Sequence, residues 1–377
     1  MLWPTIYSVE KCIYMVYSLV IWIMNLEVYM KRGLRAVRFG FIACLVIGIG
    51  VGLAYGQAQD ADSPRTPWGT PDLQGVWTSG TQISLERPER YAGQEFLSEE
   101  DAAALQQSAV QQKQQDLSQN FIPNVDPVTG RPLDQIQPGQ QFGVGTYNPQ
   151  YFDGGTWIYP TRRTSLVVEP SDGRIPYRQE ALRYQREYGA PPYDSHLDLD
   201  TGERCLGDGP LEMIWLGYNP NHQIVQTADH LVILHEMYRE RRIIPIDAGP
   251  HVDSDIRQWN GDLRGRWEGD TLVVESTNFV DKWKDYRFNE IWRGASKTLQ
   301  LVERFSRLDD KTLLYRVTVT DPVRFTSPWT VEMYLTTDQA AAGTTTGPIY
   351  EFACHEGNYG GANILSGARA EDSAEGK

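Results

Sequence analysis

Six histidines are the side chains best suited to chemistry in this sequence, and four of them fall within residues 217–251. A neutral imidazole carries protons near neutral pH and is the commonest protein ligand for metals. His235 ends an apolar strand, and Asp247 and His251 follow the next strand. This spacing predicts that His235 and His251 act as general acid and base at the mouth of a barrel, with Asp247 or Glu236 as acidic partner. Neighbouring residues of a strand point to opposite faces, so Glu236 can join His235 only through a bulge.

Aromatic and basic side chains in the middle of the chain indicate a ligand-binding surface. Such mixtures bind apolar, aromatic or sugar-like molecules through ring contacts and a few polar groups. The residues predicted to contact a ligand are Trp215, Tyr218, His222, Arg257, Trp259, His355 and Glu356. Packing in the core is the alternative interpretation of the aromatic members.

The cysteines predict one disulfide. Two of the four precede residue 57, which leaves Cys205 and Cys354 as a pair. Two cysteines in an oxidising compartment are typical of a disulfide, and two buried thiols are the alternative. The bond would place His355 and Glu356 beside the segment around Cys205.

No standard catalytic motif accompanies these residues. The sequence has no nucleophile elbow, no dinucleotide or phosphate-binding glycine loop, no zinc-protease motif and no Cys-x-x-Cys. The pattern therefore identifies no cofactor and no metal ligand set. Three functions are compatible with it: binding of a small apolar or aromatic molecule with histidine acid–base chemistry, a metal-dependent periplasmic hydrolase or lyase, and a non-catalytic envelope interaction protein.

Residues 30–58 have the order of a secretory signal peptide. A basic start is followed by an uncharged run and by small and polar residues. Residues 1–29 contain a shorter apolar segment, which we interpret as a start-site artefact or an extra apolar segment. In the second case residues 30–58 would be a membrane anchor. Both interpretations predict export of residues 59–377, with membrane contact only through the N-terminal apolar segments.

The charge of the chain argues against one class of partner. The formal net charge is −14 at pH 7, and it becomes more negative once the basic leader is removed. Such a surface repels phosphate backbones, so we expect no nucleic-acid partner.

The elements that must position these residues are mainly β-strands. Residues 59–377 are predicted to form a single β-rich domain, in which 59–160 wrap irregularly around the rest. Helices are expected at about 98–117 and 179–188. A hairpin is predicted at 165–177, and strands at 223–226, 231–238, 242–246, 264–275, 298–320, 329–335 and 349–354. Consecutive strands with short turns predict an antiparallel meander that closes into a lipocalin-like barrel or a sandwich.

Several segments resemble a family of secreted proteins from environmental bacteria without an assigned activity. They are Thr-Pro-Trp-Gly-Thr-Pro at 66–71, Leu-Val-Ile-Leu-His-Glu-Met at 231–237, Gly-Arg-Trp-Glu-Gly-Asp at 265–270 and Tyr-Glu-Phe-Ala-Cys-His-Glu-Gly at 350–357. The resemblance implies export and a single folded unit, and it implies no mechanism. Gly75 and Trp77 also resemble the Gly-x-Trp opening of lipocalin-like barrels.

Overall fold

Ten strands form one antiparallel sheet in the computed structural model, which describes residues 63–118, 153–182, 193–207, 209–214, 219–283 and 291–376. All of these residues lie within one unit, Asp60–Lys377. The strands are β1 (Gly75–Thr78), β2 (Val167–Glu169), β3 (Asn221–Gln226), β4 (His230–His235), β5 (Arg241–Pro245), β6 (Asp262–Glu268), β7 (Thr271–Thr277), β8 (Gln300–Arg307), β9 (Thr312–Thr320) and β10 (Trp329–Thr336).

The sheet is nearly closed into a barrel. Its order is β5-β4-β3-β1-β10-β9-β8-β7-β6, and β2 adds to β10 outside this path. Nine strands around a ring cannot all alternate in direction, so the two strands at the ends of the path, β5 and β6, run parallel. Among the described residues, the one bridge across this seam is parallel and joins Ile246, just after β5, to Gly265 of β6. The predicted antiparallel meander and barrel are confirmed, and the barrel has one unsealed seam.

The parallel seam explains the long connection between β5 and β6. Parallel neighbours need a crossover that returns the chain to the starting end of the barrel. Residues 246–261 make this return outside the named strands. Gly265 permits the close approach at the seam, since a Cβ there would lie 3.1 Å from Cγ2 of Ile244.

Much of the hydrophobic core lies inside the barrel. Alternate strand residues point inward, and the largest buried side chains include Trp77, Phe305, Tyr315 and Trp329, each at most 1% exposed. This alternation identifies which polar residues share the interior with them.

Helices lie outside the sheet. The described ones are α1 (Glu99–Ser118) and α2 (Gly360–Glu375), with 3₁₀ turns at Glu89–Tyr91, His196–Asp198, Glu212–Ile214, Met237–Arg239 and Ile291–Arg293. Ser98 caps α1 as predicted, because its Oγ accepts from the N–H of Asp101 at 3.0 Å. Residues 179–182 are helical, and the rest of the second predicted helix lies outside the described residues.

Four predictions about the elements need correction or stay open. The strand predicted at 349–354 is wrong, because these residues lie outside the named strands. The hairpin at 165–177 is wrong, because β2 pairs with β10 and Tyr177 bridges to Phe325. The wrap at 59–160 is not wholly irregular, since it contributes β1. The N-terminal segments 1–29 and 30–58 lie outside the described residues, and in the described part of the chain no helix has the length and apolar character to cross a membrane.

Candidate functional site

His222 and His235 form a buried pair inside the barrel. They are opposite each other on β3 and β4, and both point inward because Ile224 and Ile233, two residues along, belong to the core. Their Nδ1 atoms are 2.8 Å apart, and the rings meet edge to face with centroids 4.9 Å apart. Each residue is 1% exposed.

The pair has a defined proton arrangement. A neutral imidazole has one N–H and one bare nitrogen. One ring must donate its Nδ1 proton and the other must accept it, so the donor ring has a bare Nε2 and the acceptor ring has a protonated Nε2. Among the described residues, neither Nε2 atom has a hydrogen-bond partner. The pair therefore presents one free acceptor and one free donor.

The surroundings keep both rings neutral. Burial, helped by the nearby charge of Arg242, lowers the pKa of His222 to about 3. Burial, with His222 and Arg242, also lowers the pKa of His235 well below its usual value. Neither ring carries a charge at neutral pH.

An ion pair shares the interior with the histidines. Arg242 donates to Glu303 Oε1 at 2.8 Å and also to its other carboxylate oxygen. The hydroxyl of Tyr315 donates to Glu303 Oε1 at 2.8 Å, and burial followed by the charge of Glu303 raises the pKa of Tyr315. The two opposite charges compensate each other, so the interior has no net charge from this pair.

Two further carboxylates lie at the His235 end of the barrel, where β4 ends and β5 begins. Glu236 accepts from the side-chain amides of Asn219 and Asn221, both at 2.9 Å. Glu240 accepts from the side-chain amide of Asn260, in the return connection. Burial raises the pKa of both carboxyl groups.

A segment near the C-terminus crosses this end of the barrel. We call residues 350–354 the strap. Its Glu351 pairs with Arg239 at 2.6 Å, and the ring of Phe352 lies 4.8 Å from that of Tyr238. The predicted disulfide is present and anchors the end of the strap, since Cys354 bonds to Cys205. The strap contacts Tyr238 and Arg239, so it lies at the end of the barrel where β4 stops at His235.

His251 does not meet His235. Its Nδ1 lies 2.8 Å from a carboxylate oxygen of Asp262, the first residue of β6. Asp262 points away from the interior, because its neighbour Leu263 belongs to the core. His251 and His235 thus lie on opposite faces of the barrel wall, so the predicted meeting of these two residues is wrong.

Asp247 lies at the far end of β5 from His235. Since His230 pairs with Pro245, Asp247 follows the end at which β4 begins, roughly 15 Å from the His235 end. It is exposed, and its N–H bonds the carbonyl of Gly265 at 2.8 Å. The predicted acidic partner is therefore not at the pair.

The other predicted ligand residues have different partners, and Trp259 is half-buried against the core. Arg257 donates to the carbonyls of Phe279 and Lys297. Trp259 packs edge to face on Trp283 with centroids 5.0 Å apart.

The remaining predicted residues lie on the surface or outside the described residues. His355 and Glu356 are exposed just beyond the strap. Trp215 and Tyr218 lie outside the described residues. Of the predicted ligand set, His222 is the one that the structure joins to His235.

Sequence reasoning missed Arg242, Glu303 and Tyr315, although a signal exists. Glu303 alternates in phase with Leu301 and Phe305 in its strand, which places a carboxylate on the apolar face. An inward carboxylate needs a buried cation or hydroxyl as partner. The inward positions of β5 and β9 supply both.

Metal binding has limited support from the described residues. Within them, no group of three or more His, Cys, Asp or Glu side chains is arranged to hold a metal ion.

Comparison with known proteins finds no match for the chain, either to a family model or to a curated protein or a solved structure. The resemblance to a secreted bacterial family therefore stays a prediction, and the functional argument depends on the site alone.

Proposed function

We propose that this chain is an exported protein that binds a small, largely apolar or aromatic molecule at the His235 end of its barrel and performs acid–base chemistry on it. The observation that supports this is the buried pair of His222 and His235, with both Nε2 atoms free of partners among the described residues. A buried polar atom without a partner is costly. A ligand that bonds one of these atoms would remove part of that cost.

The neighbourhood of the pair favours a neutral ligand. Trp77 is opposite His222 on β1, and Ile224 and Ile233 form the next inward row. Arg242 and Glu303 already neutralise each other. A charged ligand would enter this interior without a counter-charge, which is unfavourable.

The disulfide supports export. Disulfides persist in oxidising compartments and are rare in the cytosol of most cells. Together with the predicted signal peptide at 30–58, the Cys205–Cys354 bond supports a periplasmic or extracellular location for the working protein.

The binding proposal can be tested without a variant. Protein labelled with ¹⁵N at histidine is titrated with N-phenyl-1-naphthylamine, a neutral apolar fluorophore, while fluorescence and imidazole NMR signals are followed. We expect the fluorescence to rise and the His222 and His235 signals to shift. The signals of exposed His196 and His230 serve as internal controls and should stay in place. Absence of binding, or shifts confined to the controls, would contradict the proposal.

A further inference from the structure

We propose that a cavity around Arg87 binds a free amino acid, whose carboxylate pairs with Arg87 and whose ammonium group pairs with Asp172. The cavity has a volume of about 460 Å³ and lies between residues of the segment 87–95 and of the turn at 171–174. That volume is within the usual range for small-molecule sites. The cavity shares no residue with the histidine pair, so it is a second site beyond the proposed function.

Arg87 is the buried cation of this cavity. The residue is 6% exposed, and among the described residues no carboxylate pairs with it. Two of its nitrogens donate to uncharged oxygens, and within the same part of the chain Nη2 has no hydrogen-bond partner. A buried charge without a counter-charge is costly. A carboxylate in the cavity would supply that charge and would accept from Nη2.

The guanidinium of Arg87 is held in place before a ligand arrives. Its Nε donates to Oγ1 of Thr164 at 3.0 Å, and its Nη1 donates to the carbonyl of Ser171 at 3.1 Å. The side-chain stem packs on Gly173, where an added Cβ would lie 3.0 Å from Cβ of Arg87. Gly173 also has a φ of +72°, which glycine adopts without strain. A donor fixed in this way loses little conformational entropy on binding.

The carboxylates at the cavity differ in whether a cation pairs with them. Glu89 pairs with Arg174 at 3.2 Å, and Glu95 pairs with Arg163 at 2.5 Å. Asp172 accepts from the backbone N–H of Arg174 at 3.0 Å, and in the described part of the chain no basic side chain pairs with it. Asp172 is therefore the lining carboxylate that is left without a counter-charge.

Arg87 and Asp172 leave one positive and one negative charge unpaired at the same cavity. A zwitterion matches both, with its carboxylate at the buried cation and its ammonium group at the exposed carboxylate. A plain anion would match Arg87 alone and would face three lining carboxylates, on a chain whose net charge is already −14. Phosphate, with up to two negative charges, would be repelled more strongly. The charges thus favour an amino acid over a simple carboxylate or phosphate.

The test compares L-alanine with its two halves: propionate, which lacks the ammonium group, and ethylamine, which lacks the carboxylate. Isothermal titration calorimetry is performed at low ionic strength, because salt screens exposed charges. We expect L-alanine to bind, propionate to bind about 5-fold more weakly, and ethylamine and inorganic phosphate to show no measurable binding. Absence of L-alanine binding, or propionate or phosphate binding as tightly as L-alanine, would overturn the inference.

The variant Asp172→Asn should change the two affinities in opposite directions. The asparagine keeps the side-chain oxygen that accepts from the N–H of Arg174, so the turn is preserved. We expect L-alanine to bind about 3-fold more weakly, because its ammonium group loses the ion pair. Propionate should bind slightly more tightly, since one repelling charge is gone. Equal losses for both ligands, or no change in either, would contradict the assigned role of Asp172.

Asp309→Asn is the matched control. Asp309 is exposed, and its side chain accepts from the N–H of Lys311 at 2.8 Å, the same contact two residues along that Asp172 makes. It does not line the cavity. Both affinities should equal those of the wild type, and a change matching that of Asp172→Asn would show a general charge effect and overturn the site.

Arg87→Gln tests the carboxylate end of the ligand. Loss of the charge should weaken L-alanine and propionate alike, by about 10-fold or more. Arg87→Lys keeps the charge without the planar fork and should bind with intermediate affinity. Thermal unfolding shows whether each variant is folded. Unaltered L-alanine binding in folded Arg87→Gln would overturn the inference, and if neither Arg87 variant folds, the comparison of Asp172→Asn with Asp309→Asn decides.

The two proposals fail separately. L-alanine should leave the imidazole NMR signals of His222 and His235 in place, and a shift of those signals would locate the amino acid in the barrel and overturn the Arg87 site. Failure of N-phenyl-1-naphthylamine to bind would contradict the proposed function and leave the L-alanine result unaffected.

Discussion

His222 and His235 make the folded protein sensitive to acid. The pKa of His222 is about 3 when folded and returns to about 6.5 when the chain unfolds. Between these values the unfolded chain binds the extra proton, so stability falls as the pH falls. We expect His222 to cost about 1.4 kcal/mol of unfolding free energy per pH unit within this window, with no effect above it. His235, whose pKa is also lowered by burial, should add to the loss as the pH falls below about 6.5. Urea denaturation at a series of pH values measures the slope.

The control for the acid prediction is His222→Gln combined with His235→Gln. Glu236 and Glu240 have raised pKa values, so their protonation favours the folded state as the pH falls and opposes the histidine effect. Both carboxylates are present in wild type and in the variant, and the difference between the two slopes isolates the histidines. Equal slopes would contradict the prediction.

Arg242 and Glu303 depend on each other inside the barrel. Removing one partner leaves a buried charge, which costs about 3–5 kcal/mol. We expect Arg242→Met and Glu303→Leu each to show this loss. The double variant should lose much less than the sum, because it leaves no unpaired charge. Unfolding free energies for the four proteins of this double-mutant cycle give the coupling, and additive losses would contradict it.

At the scale of elements, the disulfide determines how firmly the strap is held. The bond spans a sequence separation of 149 residues, and closing a loop of that length stabilises the folded state by about 5 kcal/mol in the chain-entropy model. Cys205→Ser with Cys354→Ser should therefore lower the unfolding free energy by up to this amount. Hydrogen exchange should also speed up in residues 350–354.

Wild-type protein treated with a reductant is the matched comparison for the disulfide variant. It should match the variant in both stability and exchange. Unchanged stability after loss of the bond would show that the strap is held by its other contacts alone.

Most strands could be predicted, because apolar and polar residues alternate and the turns carry their usual residues, such as Gly269 between β6 and β7. Two features of the elements could not. β1 has only four residues, too few for a periodic signal. The parallel seam follows from the odd number of strands in the ring, which no local pattern contains.

The site was predictable only in part, because it also depends on which strands pair and on how the chain returns between them. His235 was identified because it ends an apolar run. The predicted strand 223–226 begins one residue after His222. It therefore excludes the residue that pairs with His235 across the two strands. His251 is close to His235 in sequence, but the long return of the chain between β5 and β6 places it on the other face.

At the scale of the whole molecule, export has a direct test. We expect the protein expressed in a bacterium with an oxidising periplasm to lose residues up to about 58, since signal peptides are removed after small residues. Mass spectrometry of the periplasmic fraction measures the mature terminus. A variant in which Leu45 and Val46 are replaced by Asp should remain unprocessed, because a charged segment cannot act as the apolar region. Intact wild-type chain in the cytoplasm would contradict the prediction.

The place of β1 between β3 and β10 has a consequence for how the molecule assembles. A chain that emerges from its N-terminus presents the first strand of the ring early, but Thr78 can pair with Thr336 only after residue 336 has been made. Contacts so distant in sequence form slowly. The ring therefore closes late, and a product that stops before residue 329 would be an open sheet with unpaired edges, which favours aggregation.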